Sequence, residues 1–173
     1  DITAEQESKE QQKEAVIEKK TPGIFNGFVL LSSLHCDLNN IKRHLIQDWN
    51  IHCPSNVGEE LPDTLVFDMD GCTMAISYIP SPVPNGEAEY YAQANYTWRE
   101  AVQAARTHQA HLIVAVLAQS GTPLQSGELY AKLASCCLKL DNAIGFYSSG
   151  TVFQPKYFQD TAQLMNEGVI PLM

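Results

Sequence analysis

Positive charge is scarce in this sequence and nowhere clustered. Eleven Lys and Arg face twenty Asp and Glu, for a formal charge of −9. Lys19-Lys20 and Lys42-Arg43 are isolated pairs. Affinity for nucleic acid comes mainly from cations that displace condensed counterions, so the expected partners include no nucleic acid. An anionic membrane surface is set aside for the same reason. No stretch is long and apolar enough to span a bilayer; the run Phe28 to Leu31 is strand-sized. The chain opens on Asp1 with no charged-then-apolar signal segment. Cys-x-x-Cys is missing. The five cysteines (Cys36, Cys53, Cys72, Cys136 and Cys137) are odd in number and lack framework spacing. They read as buried thiols in a reducing compartment, which makes the cytoplasm the expected location. A P-loop and a Ser-His-Asp set with a nucleophile elbow are also lacking.

What is present is a globular composition. The chain has 173 residues, 45% apolar and 18% charged. A domain of this size buries roughly two-thirds of its unfolded surface, enough to fold without a metal or disulfide. Residues Asp1 to Lys20 are rich in Glu, Gln and Lys, and Pro22-Gly23 separates them from the rest of the chain. Residues 1–23 therefore read as a polar helical or flexible leader, and 24–173 as a single α/β domain.

Along that domain, Phe25 to Ser33 reads as a buried strand. Asp37 caps an expected helix from Leu38 to Trp49, with Leu38, Ile41, Leu45 and Trp49 on one stripe. Cys53 to Pro62 is polar and irregular. Thr64–Met69 and Cys72–Tyr78 read as a hairpin around Asp70-Gly71, a pair that tolerates positive φ. The run Pro80-Ser-Pro-Val-Pro84 is a stiff connection that neither strand nor helix can continue. Thr97 and Glu100 have capping-box spacing for a helix reaching His108. His111 to Ala118 reads as a near-continuous buried strand. A helix between Thr122 and Lys139, a strand from Ala143 to Tyr147 and a helix opened by Pro155 complete the order. The expected class is α+β: a ferredoxin-like (split βαβ) antiparallel sheet with helices packed on it, plus an extra helix-strand-helix at the C-terminal end.

Several constellations invite chemistry. Leu65-Val-Phe-Asp68-Met-Asp70-Gly71 resembles the nucleophile strand of haloacid-dehalogenase-type phosphatases, in which paired Asp residues handle phosphorus and Mg²⁺. Cys72 and the returning strand depart from that pattern, and hairpin chemistry accounts for Asp70-Gly71. The pairs His35-Cys36 and His52-Cys53, with His108 and His111, offer zinc-type donors, but adjacent ligands rarely face one ion. Cys136-Cys137 lie about 100° apart on a helix, so one is core packing. Ser148-Ser149-Gly150-Thr151 suits a turn, or a small anion cradle. No catalytic residue, metal site or cofactor is assigned. The densest polar-aromatic stretch is Glu87 to Glu100. Tyr, Trp and Arg are enriched at binding hot spots, so Glu87, Glu89, Tyr90, Trp98, Arg99 and Glu100 are the candidate partner-binding residues. The competing account is that these aromatics fasten the stiff loop to the core.

Six further stretches carry a family resemblance. They are Gly27-Phe-Val-Leu-Leu-Ser32, Thr64-Leu-Val-Phe67, Ile79-Pro80 with Pro82-Val-Pro84, Asn95-Tyr-Thr-Trp98-Arg-Glu100-Ala101, Ala110 to Leu117, and Asn142-Ala-Ile-Gly-Phe-Tyr147. In this order they resemble the bacterial family catalogued as domain of unknown function 4261. The resemblance implies a cytoplasmic bacterial α/β protein, assigns no activity and transfers no catalytic residue. Members of that family usually continue past the position of Met173.

The sequence supports three functional expectations. The first is a non-catalytic protein-interaction module that meets a basic partner through charge complementarity, an immunity-type inhibitor of a basic toxin being one version. The second is a small enzyme or small-molecule-binding protein using the Pro80–Glu100 loop, with Asp68 or Glu100 as acid or base. The third is a scaffold whose leader docks on another chain.

Overall fold

Two turns and two caps set the frame of the molecule. Asp70 and Gly71 take φ of 51° and 73°, the left-handed pair that a tight hairpin needs. They join β2 (Thr64–Met69) to β3 (Cys72–Ile79). Ser149 and Gly150 do the same, with φ of 53° and 74°, between β5 (Ala143–Ser148) and β6 (Thr151–Phe153). Asp37 caps α1 (Leu38–Trp49), its Oδ1 accepting the amides of Asn39 and Asn40 at 3.0 and 3.2 Å. Thr122 and Gln125 form a reciprocal capping box at the start of α4 (Pro123–Cys137).

The computed structural model describes residues 23–54 and 61–170. The expected leader falls outside the described residues apart from Gly23. The remaining elements are β1 (Ile24–Leu31), α2 (Glu87–Ala92), α3 (Ala101–Thr107), β4 (Ala110–Ala118) and α5 (Pro155–Gln163). Short 3₁₀ turns precede α2 and follow α5. Among the described residues no helix is long and apolar enough to cross a membrane.

The six strands of the described residues join one antiparallel sheet in the order β2-β3-β4-β1-β5-β6. The α+β class and the antiparallel sheet are as expected. The split βαβ order is not what the strands adopt. That order would place β1 between β3 and β4. Here β3 pairs directly with β4 over eight residues, and β1 lies between β4 and β5. The physical reason is the route of the β3–β4 connection. It carries α2 and α3 over β5 and β6, then returns the chain beside the strand it left.

Helices cover the two faces of the sheet unequally. On one face α1, α4 and α5 enclose the larger core, which includes Val29, Leu31, Ile41, Leu45, Met74, Ile76, Leu112, Leu133, Phe146 and Phe158. On the other face α2 and α3 enclose a smaller cluster with Leu30, Val83, Ala88, Ala92, Ala101, Ala105, Tyr147 and Val152. Alternate residues of β1 feed the two clusters, as period-two geometry requires. Gly27 is the one β1 position where a side chain cannot fit. A Cβ there would lie 2.3 Å from the Tyr130 hydroxyl and 2.9 Å from the Phe146 ring. Its absence lets Tyr130 of α4 lie across the sheet.

Candidate functional site

The smaller cluster stops short of half the sheet. Next to it, β1, β4, β3 and β2 present a face on which no described helix packs. The register builds it in rows. Val66, Ala75, Ala115 and Asn26 lie side by side. Asp68, Thr73, Leu117 and Ile24 form the next row, and Thr64, Ser77, Ile113 and Phe28 the row on the other side. Val66, Leu117 and Ile24 are 48, 39 and 63% exposed. Asp68 is the one charged residue in these three rows. β4 was expected to be buried on both faces. It is not: Leu117 is exposed and Ile113 and Ala115 are only half-buried, because α2 and α3 sit over β5 and β6.

An aromatic ladder borders this face. Tyr90 meets Tyr91 edge-on at 5.1 Å, Tyr91 stacks on Tyr147 at 5.5 Å, and Tyr147 stacks on Phe28 at 5.6 Å. Phe28 then meets the His111 ring at 5.6 Å. The Tyr147 hydroxyl donates to Glu87 at 2.6 Å. Burial and that carboxylate raise the Tyr147 pKa well above the ordinary tyrosine value, so the phenol stays protonated. Glu89 pairs with Arg106 of α3 at 2.9 Å. Of the candidate partner-binding residues, Glu87 and Tyr90 therefore stand at this border, and Glu89 ties α2 to α3. Trp98, half-buried, packs into the smaller cluster. It lines, with Glu100, a shallow depression against Ile144 and Pro155. Arg99 is exposed. The six residues do not converge on one point.

Glu100 does not cap α3 with its side chain. The expected capping box is replaced by Asn95, whose Oδ1 accepts from the Thr97 amide and hydroxyl and from the Trp98 amide at 2.8–3.1 Å. An Asx turn wins here because the Asn side-chain carbonyl takes the place of the preceding peptide carbonyl in a backbone turn. Asp68 accepts from the Thr73 hydroxyl at 2.6 Å on the exposed hairpin, and Asp70 fills its left-handed turn position. Among the described residues no three His, Cys, Asp or Glu side chains gather as a metal site would need. Burial pushes the thiols of Cys36 and Cys136 up to about 12 and Cys137 also well above its ordinary value. A protonated thiol is a poor nucleophile, so these cysteines act as core side chains.

The opposite face of the sheet holds a concavity that sequence reasoning missed. It has a volume of about 660 Å³. Leu124, Gly127, Glu128 and Ala131 form its wall on α4, one stripe at helical spacing. Phe25, Phe153 and Phe158 supply apolar rings from β1, β6 and α5. Tyr130 and Ser148 share a hydrogen bond of 2.7 Å at its lining. Burial pushes the Tyr130 hydroxyl up to about 12 despite that bond. The stretch Ser148–Thr151 is the β5–β6 turn, and two of its residues line this cavity. The signal available beforehand was Gly127, a glycine inside a helical stretch.

The chain matches no family model, no curated protein and no solved structure. The family resemblance of the strand motifs gains nothing from these comparisons.

Proposed function

We propose that this protein is a non-catalytic interaction module that docks a basic protein partner on the open face of β1, β4, β3 and β2. One observation supports it above the rest. β4 has the near-continuous apolar sequence of a strand covered on both faces, yet at Ile113, Ala115 and Leu117 no described helix covers one of them. Neighbouring Val66, Ala75 and Ile24 extend the apolar surface across three more strands. Sheet faces of this kind pack on another apolar layer about 10 Å away. The charge pattern favours a basic partner. The described Lys and Arg lie outside the sheet, on helices, turns or their immediate ends, while Asp63, Asp68 and Asp70 lie along β2 and its two ends. A chain of net charge −9 steers cationic surfaces toward it. An immunity-type inhibitor of a basic toxin is one role of this form.

The test is capture from a lysate of the source organism, followed by titration of the retained protein against the wild type and a Val66→Gln/Leu117→Gln double variant. Both side chains are exposed, so folding tolerates the change within about 0.5 kcal/mol. The double variant is expected to bind roughly tenfold more weakly at low and high salt alike. High salt is expected to slow association for both proteins. Affinity unchanged by the double substitution would place the interface elsewhere. Retention of no protein at either salt would remove the reading.

A further inference from the structure

We propose that the cavity under α4 is a second binding site, for a small apolar amine: an aromatic or alkyl body carrying one protonated nitrogen. A volume of about 660 Å³ lies inside the roughly 300–1,000 Å³ range of small-molecule sites. The lining decides the class of ligand. Four rings, Phe25, Tyr130, Phe153 and Phe158, face an apolar body. Among the described lining residues Glu128 is the one charged side chain, and no described Lys or Arg joins it. A carboxylate or phosphate would lose water there without gaining a counter-charge. An ammonium gains Glu128, ring faces that attract cations, and the oxygens of Tyr130 and Ser148. The net charge of −9 raises the local concentration of cations further.

Gly127 is an independent observation. It stands in the interior of α4, where glycine is the poorest choice short of proline. A Cβ there would meet only the Phe25 ring, at 3.5 Å, so no close contact requires the glycine. What its missing side chain does is leave the cavity wall open. The site lies on the α4 face of the sheet, opposite the proposed docking face, so each proposal can fail without the other.

The experiment compares three probes with one body: 4-phenylbutylamine, 4-phenylbutanol and 4-phenylbutyrate. Binding is measured by calorimetry and located by amide and methyl chemical shifts on the intact chain. The amine is expected to bind most tightly and the carboxylate least, with shifts at Gly127, Tyr130 and Ser148. Glu128→Gln is expected to weaken the amine roughly two- to fivefold and leave the alcohol unchanged. Gly127→Phe is expected to abolish binding of all three. Should that variant fold poorly, the Glu128→Gln comparison and the wild-type shift map decide alone. Carboxylate binding equal to or tighter than amine binding would overturn the proposal. So would shifts confined to other surfaces, or no binding of any probe at millimolar concentration.

Discussion

His108 shows how much one side chain can hold in place. Its Nε2 accepts the Val83 amide at 2.9 Å, so the ring proton sits on Nδ1, which donates to the Ala105 carbonyl. His111 donates from Nδ1 to Ser81 at 2.7 Å. Two neutral imidazoles thus fasten the proline-rich strap, His108 to the end of α3 and His111 to β4. Burial lowers both pKa values from the ordinary 6.5, and His108 lowers that of His111 further. Protonating Nε2 of His108 would set one N–H against another. The unfolded chain takes up these protons near 6.5 and the folded chain only at lower pH. The stability they contribute is therefore full above about pH 6.5 and is lost as pH falls through the depressed folded values. Urea unfolding between pH 7.5 and 5, above the range where most carboxylates titrate, is expected to show a flat midpoint and then a decline. His108→Ala is expected to lower the plateau by about 1–3 kcal/mol, because the buried Val83 amide loses its acceptor, and to flatten the decline. An unchanged slope in that variant would refute this role. None of it was legible in the sequence. His108 and His111 stood out there only as zinc-type donors, because the Val83 amide comes from 25 positions away.

At the scale of elements, legibility followed how local the deciding contact is. The helix at Leu38–Trp49 agreed with its expected bounds because the Asp37 cap and the apolar stripe both act within a few residues. The Asp70-Gly71 hairpin agreed for the same reason. β6 was missed because three residues are too few to show alternation. The Thr122-x-x-Gln125 capping box has the same spacing as the Thr97–Glu100 pair expected to form one, and spacing alone does not tell the two apart. α4 gives two opposite predictions from neighbouring positions. Thr122→Ala removes the acceptor for the Gln125 amide and is expected to cost about 1 kcal/mol. Gly127→Ala adds a Cβ at ordinary contact distance from Phe25. It is expected to stabilise by up to about 1 kcal/mol, a rise of roughly 2–4 °C in Tm. Calorimetric melting of the two variants checks both signs. A Gly127→Ala variant that melts lower would mean the glycine serves packing, and the cavity would need another explanation.

At the scale of the molecule, strand order and helix placement were beyond local reading. Any of several strands could have paired with β1, and nothing in a window of ten residues chooses between them. The charge did read through: an acidic chain whose sheet carries almost no charge. The two clusters differ in substance. The larger is mostly Leu, Ile, Val, Met and Phe, with alanine at four of its 26 buried positions, whereas in the smaller four of eight are alanines, Ala88, Ala92, Ala101 and Ala105, all on its two helices. Alanine buries far less area than leucine, and hydrophobic stabilisation scales with area. The smaller cluster also depends on the strap held by His108 and His111. The α2–α3 unit is therefore expected to open as one piece before the rest of the fold. Native-state hydrogen exchange is the direct measure. Amides of α2 and α3 are expected to exchange through an opening of lower free energy than those of β1, β4 and α4. Lowering the pH from 7 to 5.5 is expected to reduce protection in α2 and α3 more than elsewhere, after correction for the intrinsic exchange rate. Equal protection in all five elements would mean that the two clusters unfold together. The same exchange data bear on docking. A partner seated on the open face touches Phe28 and, through the ladder, Tyr147 and Tyr91, so its binding is expected to slow exchange in α2 as well as in β2 and β3.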